Sequence, residues 1–330
     1  MLFVRRLSAA AALSVALFGL NFAVMRAKPL TEIDEAAWVF SSYFYHLAFE
    51  KRDLRSADWR SPDALDHPPL AKYLVGAALA TGGIRVDSLE PKRWWASRDL
   101  DFLDLEVFTR ECARRLPSGA LPRARLLSSL AMTASGIALF ALIAAALAPA
   151  AGFIGLLLFG LSPIARTVAG QAVSDGIFFF LFLACALAQA AWLRRAESRA
   201  SLRAVSALLG ASCGLVFLTK LNGLLCLAAS GVVFVLVLAR RLRRREPTGE
   251  LWIASAIILG VFALTVVALN PSLHSRPWGF LCDMFEHRWR RVELQTAVLY
   301  PQALPTPELR LSYALRSLFF TEDWFFATVR

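Results

Sequence analysis

Seven long apolar runs constrain the fold of this 330-residue chain more than any other feature. A run of about 20 apolar residues can cross a bilayer as an α-helix, which satisfies its own backbone hydrogen bonds there. Hydrophobic residues make up 57% of the sequence, above the usual share in soluble domains. The sequence therefore predicts an all-α polytopic membrane protein with about seven transmembrane helices. The predicted spans cover residues 7–25, 126–147, 152–168, 176–193, 204–218, 221–239 and 251–269.

These runs divide the chain into four predicted parts. Residues 1–25 form a first, uncleaved transmembrane helix, and residues 126–269 form a six-helix transmembrane region. Residues 26–125 are mixed and polar, which predicts a large folded outer loop with amphipathic helices. Residues 270–330 are predicted to form an outer interfacial tail, because the aromatic-rich stretch 313–329 carries charges that disfavour a crossing. The charged stretch 90–115, with its paired tryptophans, is predicted to lie at the lipid headgroups.

The basic residues predict the orientation, because cytoplasmic loops of membrane proteins are rich in Lys and Arg. If the N-terminus is cytoplasmic, the opposite short loops contain only Arg166 and Lys220. We therefore expect an integral membrane protein whose segments 26–125 and 270–330 lie on the outer face, which is the periplasm if the membrane is a bacterial inner membrane. The net charge of +11 is explained by these cytoplasmic basic residues, so it does not predict binding to nucleic acid. The predicted cytoplasmic cluster comprises Arg5, Arg6, Arg194, Arg195, Arg199, Arg203, Arg240, Arg241, Arg243, Arg244 and Arg245.

Two short motifs occur in the predicted outer loop. The pair Pro68-Pro69 cannot lie inside a helix but can begin one, which predicts a helix over residues 70–80 with Asp66 and His67 at its start. Earlier, Asp34 and Glu35 open a predicted amphipathic helix over residues 33–47, expected along the membrane surface. Each motif also has a purely structural explanation, because acids at a helix start are favoured by the helix dipole.

The order of these motifs resembles the first outer loop of protein O-mannosyltransferases and their bacterial relatives, the aminoarabinose transferases. The resemblance rests on Asp34-Glu35 followed by Asp66-His67-Pro68-Pro69-Leu70-Ala71-Lys72. Both groups are GT-C-type glycosyltransferases that take a sugar from a polyprenyl phosphate. Leu218-Thr219-Lys220 looks like the aminoarabinose transferases' Leu-Thr-Lys, whose lysine lies near the lipid phosphate. Arg166 with Asp175, and Asn270 with the residues after it, look like two further outer segments of the family.

The resemblance implies an inverting transfer from a polyprenyl-phosphate-linked sugar to a hydroxyl of a protein, lipid or glycan. Such a reaction needs a carboxylate to take the acceptor proton and cations to hold the phosphate. The implied catalytic residues are Asp34, as general base, and Glu35. The implied substrate-binding residues are Asp66, His67, Arg166, Asp175, Lys220 and Asn270. Three of them have simpler explanations: Lys220 as a membrane anchor, Asp175 as a helix cap and Asn270 as a membrane exit.

Several questions stay open at this level. The four histidines form no ligand motif, and family members differ in their use of a divalent cation, so a metal is neither predicted nor excluded. Family members generally continue through further spans, so a partner subunit could complete the site. The alternative function is a non-catalytic transporter or assembly subunit. A transporter would need polar residues in the middle of several spans, whereas the charges here gather at one predicted face.

Overall fold

A computed structural model of the chain describes residues 2–30, 33–89, 105–195, 199–274, 276–298 and 308. In these residues the fold is helical throughout, and six helices are long and apolar enough to cross a membrane. The predicted all-α polytopic membrane fold is confirmed at this level. The helices are α1 (Leu2–Met25), α2 (Ile33–Ser41), α3 (Pro62–Asp66), α4 (Leu70–Ala80), α5 (Leu105–Arg115), α6 (Ala120–Ala146), α7 (Pro149–Leu161), α8 (Pro163–Gly170), α9 (Ser174–Arg195), α10 (Arg199–Thr219), α11 (Leu224–Arg243), α12 (Gly249–Leu269) and α13 (Pro277–Val298).

The predicted span over residues 152–168 is not one straight helix. It is divided into α7 and α8, which meet at an angle of 63° around Ser162. The helix is interrupted there because Pro163 follows Ser162, and the bent pair can still form one span. A proline has no N–H to donate, and it pushes the preceding residue out of the helical region. Ser162 accordingly has φ −60° and ψ 127°, an extended conformation.

The two ends of the helix bundle differ in the segments that meet there. At one end, which we call the loop face, Trp59 and Ser272 join the 33–89 segment to the end of α12, and Lys220 joins the end of α10 to the start of α9. At the opposite end, Arg194 of α9 donates to the Ala145 carbonyl of α6. The predicted site residues belong to segments that meet at the loop face or border it, and these include Arg166 on α8, which ends at Gly170 beside Met25.

The segment between α1 and α6 packs its apolar side chains inside the protein. Val39 and Phe40 of α2 pack with Val75 and Leu79 of α4, and all four are buried. Further along, Phe44 and Leu47 are buried in a second cluster with Trp59 and Tyr73. The apolar face predicted to lie on the membrane surface is therefore turned toward α4 and α6. The predicted helix over 33–47 also ends early, at Ser41, and continues as short turns.

Three other sequence predictions of local structure are confirmed. The helix predicted after Pro68-Pro69 is α4, Leu70–Ala80. The predicted turn at Lys220 is a single 3₁₀ turn, Leu221–Gly223, and a Cβ added at Gly223 would lie 2.4 Å from the Phe217 nitrogen. The last apolar run ends at Leu269. The predictions for residues 90–104 and 313–329 lie outside the described residues, while α5 accounts for the end of the charged stretch 90–115.

The transmembrane helices are joined by small polar side chains. Ser14 of α1 donates to the Thr133 carbonyl at 2.8 Å, and Ser129 of α6 donates to the Phe18 carbonyl at 3.0 Å. Such interhelical hydrogen bonds hold helices together where the lipid offers no hydrophobic driving force. Three cysteines of these helices are buried in one apolar cluster: Cys185, Cys213 and Cys226.

Candidate active site

Glu35, one of the two predicted catalytic acids, lies on the first turn of α2 and is held in place by packing. Its side chain is 0% exposed and forms a two-pronged ion pair with Arg125 of α6, with both N–O distances 2.8 Å. The same carboxylate accepts a hydrogen bond from the backbone N–H of Ala172, just before α9, at 2.8 Å. Glu35 therefore holds α2, α6 and the start of α9 together at the loop face.

Arg125 uses every N–H of its guanidinium group in this arrangement. Beyond its two bonds to Glu35, it donates to the carbonyls of Met25, Lys28 and Pro29 at 2.7–2.9 Å. Five donors are thus matched by five acceptors, which is what a buried arginine requires. The network also ties the end of α1 to α6. In this position Glu35 cannot touch a substrate without breaking the network, so its surroundings favour a structural role.

Asp34, the neighbour of Glu35, has different surroundings. Its side chain is exposed, and it lies one turn before Trp38 on the same side of α2. Trp38 is 6% exposed and packs with Ala71 of α4 and Ile177 of α9. Asp34 is therefore the member of the acidic pair that the solvent can reach.

Trp38 also connects α2 to the Asp66-His67 corner. The ring of His67 lies against the Trp38 indole, with centroids 5.0 Å apart. His67 Nε2 lies 3.7 Å from Asp66 Oδ2, and the other Asp66 oxygen lies 3.6 Å from the Arg288 guanidinium on α13. The corner predicted from the two prolines is thus a junction of α2, α3 and α13.

The electrostatics of this junction keep His67 neutral. Burial lowers the pKa of His67 to about 3, because the charged imidazolium loses solvation. Asp66 opposes that shift, whereas the positive charges of Arg288, Lys72 and Lys220 add to it. A neutral ring in a cluster of cations can accept a hydrogen bond, but it is a weak base and contributes no charge of its own at neutral pH.

Lys72, the last residue of the loop motif, supports the corner from inside. Its ammonium group donates to the Asp63 carbonyl at 2.5 Å and lies 4.8 Å from the centre of the Phe44 ring. The side chain is 2% exposed, and burial lowers the pKa of Lys72 to about 8 against the opposing charges of Asp66 and Asp63. Lys72 therefore anchors the α3 backbone to α4 and is inaccessible to substrate.

The structure pairs two more of the predicted site residues. Lys220 Nζ, in the turn after α10, lies 2.6 Å from Asp175 Oδ1 on the first turn of α9. The Lys220 side chain is 23% exposed and Asp175 is half exposed. The turn that carries Lys220 packs beside the Asp66-His67 corner, because Leu221 shares an apolar cluster with Leu65 and Leu70. Lys220 is thus held by a specific partner, which a simple membrane anchor does not require.

The two remaining predicted residues occupy other positions. Arg166 is exposed on α8, where its backbone carbonyl accepts a hydrogen bond from Asn21 of α1, and no described contact joins it to Lys220 or His67 within the resolved ranges. Asn270 is 2% exposed, and its side-chain oxygen accepts from the Ser272 N–H at 3.3 Å. Asn270 therefore caps the short turn after α12, as its position before Pro271 would have indicated.

Sequence analysis missed Arg288, which brings a second cation to the corner. Its segment was noted only as a likeness to an outer segment of the family, and a charged helix offers no local signal that selects one of its arginines. Among the described residues, no three His, Cys, Asp or Glu side chains are grouped in a way that could hold a metal ion.

The loop face thus combines an exposed carboxylate, two accessible cations and a neutral imidazole near the ends of apolar helices. This arrangement can bind an anionic headgroup and take a proton from a hydroxyl. The chain matches no protein family model, no curated protein and no solved structure. The likeness to O-mannosyltransferases and aminoarabinose transferases accordingly rests on the short motifs themselves.

Proposed function

We propose that this chain is a GT-C-type membrane glycosyltransferase, similar to protein O-mannosyltransferases and aminoarabinose transferases. It would move a sugar from a polyprenyl-phosphate donor to an acceptor hydroxyl of a protein, lipid or glycan. The observation that carries the proposal is the convergence of Lys220–Asp175 and Asp66–Arg288 on His67 at the loop face. These residues come from four separate parts of the chain, so local helix stability does not account for their meeting.

The proposed reaction is a single inverting displacement. The carboxylate of Asp34 takes the proton of the acceptor hydroxyl, and the acceptor oxygen attacks the anomeric carbon of the sugar. The bond between that carbon and the phosphate oxygen breaks, and its electron pair leaves with the lipid phosphate. The exposure of Asp34 supports its role as the base, because the acceptor must reach it.

Lys220 and Arg288 are the proposed partners of the donor phosphate. Both are partly exposed, and both lie near enough to His67 to lower its pKa. Their carboxylate partners, Asp175 and Asp66, hold them in place before the donor binds. Arg288 takes the role that the family resemblance would give to Arg166. Cations aimed at a departing phosphate stabilise the charge that develops there.

The proposed topology has a cytoplasmic N-terminus and a periplasmic loop face. We infer seven crossings, because α6 ends beside Arg194 at the end of α9 whereas α9 begins beside Ser128 near the start of α6. The bent pair α7–α8 must then bring the chain from one end of the bundle to the other. This arrangement leaves the basic segments around 194–203 and 240–245 on the cytoplasmic side, in keeping with the positive-inside rule.

The test is an assay of the purified protein with a panel of labelled polyprenyl-phosphate sugars and a detergent extract of membrane acceptors. Transfer of label that is lost in Lys220→Gln and Asp34→Asn would support the proposal. A folded protein that binds the donors without turning any of them over would favour the alternative of a non-catalytic assembly subunit. Vesicle flux of the donor lipid without transfer would favour a transporter.

A further inference from the structure

A basic cleft lies at the loop face, between the turn before α3 and the turn after α12. Its volume is about 460 Å³, and one wall contains Arg55, Trp59 and Arg60 while the other contains Pro271 and His274. The two walls are joined by a hydrogen bond from Ser272 Oγ to the Trp59 carbonyl at 3.0 Å. Clefts of a few hundred Å³ are of the size that binds small molecules.

All the ionisable side chains that line the cleft are basic. Its lining includes two arginines, one histidine and two serines, and no acidic side chain. Asp58 lies between the two arginines in the sequence, and its carboxylate accepts from Tyr43 and from Ser56 at 3.1 and 3.3 Å. Arg55 is exposed and forms no ion pair with any other described residue. An unneutralised arginine beside a second one is a strong site for a doubly charged anion.

His274 adds a third polar group to the opposite wall. Its Nε2 lies 2.9 Å from the Val267 carbonyl, so in the tautomer with the proton on Nε2 the ring donates to that carbonyl. Nδ1 then remains for a ligand. It can accept a hydrogen bond from a protonated phosphate oxygen or, when the ring is charged, donate one.

We propose that this cleft binds a phosphomonoester, with Arg55 and Arg60 as charged donors and His274 on the facing wall. A phosphomonoester offers three oxygens and almost two negative charges, which matches a fork of guanidinium groups better than a carboxylate does. The cleft borders the end of the apolar helix α12, so the ester can belong to a lipid headgroup or to a soluble molecule. The proposal does not depend on glycosyl transfer.

The experiment uses the full-length protein in nanodiscs of neutral lipid. One arm measures binding of soluble glycerol phosphate by calorimetry, and the other measures retention of phosphatidic acid by native mass spectrometry. The test variant is Arg55→Gln with Arg60→Gln, and Ser272→Ala separately removes the bond between the two walls. The matched control is Arg52→Gln, which removes the same charge from an exposed residue of the same loop outside the cleft.

We expect the double variant to lose at least about tenfold in affinity and the Arg52→Gln control to stay within about twofold. Binding in the lipid arm alone identifies a headgroup site, and binding in the soluble arm alone identifies a soluble ligand. No binding in either arm, or equal binding by the double variant and the control, overturns the proposal. The Ser272→Ala protein keeps both arginines, so weaker binding there would show that the geometry of the cleft matters as well as its charge.

Discussion

At the scale of single residues, the neighbouring acids Asp34 and Glu35 differ in exposure to solvent. One lies in solvent beside the candidate site, whereas the other is enclosed with Arg125. Their substitutions should therefore separate catalysis from folding. This contrast provides the sharpest test of the proposed mechanism, because the two side chains differ by one methylene group.

For Asp34→Asn we expect a fall in transfer rate of about 10²-fold or more, because the amide keeps the shape but cannot take a proton. The thermal midpoint in detergent should stay close to that of the wild type, since the side chain is exposed. Transfer assays and thermal unfolding of the same preparation measure both quantities. A well-folded Asp34→Asn protein with a near-normal rate would remove Asp34 from the mechanism.

For Arg125→Ala we expect a loss of about 3–5 kcal/mol in the free energy of unfolding, because the substitution leaves the Glu35 carboxylate buried without its cation. The double variant Glu35→Leu with Arg125→Met should recover part of that loss, since it buries no charge. Unfolding titrations in mixed detergent measure the difference. Equal loss in the single and the double variant would show that the backbone carbonyls bound by Arg125 matter more than the ion pair.

Lys220 can be tested through donor binding. Lys220→Gln should weaken donor-lipid affinity and slow transfer together, and Lys220→Arg should restore part of both because it keeps the charge with a different reach. Lys51→Gln is the control, an exposed lysine of the segment between α2 and α3 that is paired with Asp53. Affinity and rate are measured in one detergent for all three variants. Wild-type values in Lys220→Gln would identify the lysine as an anchor.

The residues of the site could be predicted from sequence only where the signal was local. The turn at Lys220 and the corner at His67 follow from neighbouring glycine and proline residues. The pairing of Glu35 with Arg125 could not be predicted, because 90 positions separate them and periodicity says nothing about contacts at that distance. The capping role of Asn270 follows from the Asn-Pro order, whereas its part in substrate binding stays a prediction.

At the scale of elements, the corner between α3 and α4 should make stability depend on pH. Unfolded histidine takes up a proton near pH 6.5, whereas folded His67 does so only near pH 3. Between these values the unfolded chain binds more protons, so the free energy of unfolding falls as the pH falls. The thermal midpoint of the wild type should therefore decrease from pH 6.5 toward pH 4.

His67→Gln removes this proton uptake and should flatten the decrease. The matched control is His46→Gln, which changes another loop histidine, one paired with Glu50 at the surface. Midpoints are measured at intervals of half a pH unit for the three proteins. A His67→Gln protein whose midpoint falls as steeply as that of the wild type would show that other groups control acid stability.

Helices were predicted well where apolar composition alone determines them, and less well where a helix is interrupted. The long apolar runs correspond to helices because each must satisfy its own backbone in lipid. The break before Pro163 could be expected from the proline, but the apolar residues around it favoured a continuous helix. The burial of Phe44 and Leu47 against Trp59 was not predictable, since an amphipathic pattern does not say whether its apolar face meets lipid or protein.

At the scale of the whole molecule, the native cysteines report the topology. Cys282 on α13 is exposed, whereas the other four cysteines are buried. A membrane-impermeant maleimide should therefore label the wild type in intact cells whose outer membrane is permeable, and it should not label Cys282→Ser. Adding Thr248→Cys to the Cys282→Ser protein should restore labelling only after the inner membrane is opened. Labelling of Thr248→Cys in intact cells would reverse the proposed orientation.

The network around Arg125 also has a consequence for how the protein is made. Every acceptor of its guanidinium group precedes it in the chain: the carbonyls of Met25, Lys28 and Pro29 and the carboxylate of Glu35. When α6 is synthesised, the groups that bind Arg125 near its start are already present in the chain. The Ala172 amide completes the network later, when the chain has returned through α7 and α8. The Arg125 guanidinium group can therefore be paired as soon as α6 is inserted, whereas the Glu35 carboxylate, made 90 positions earlier, gains its cation only at that step.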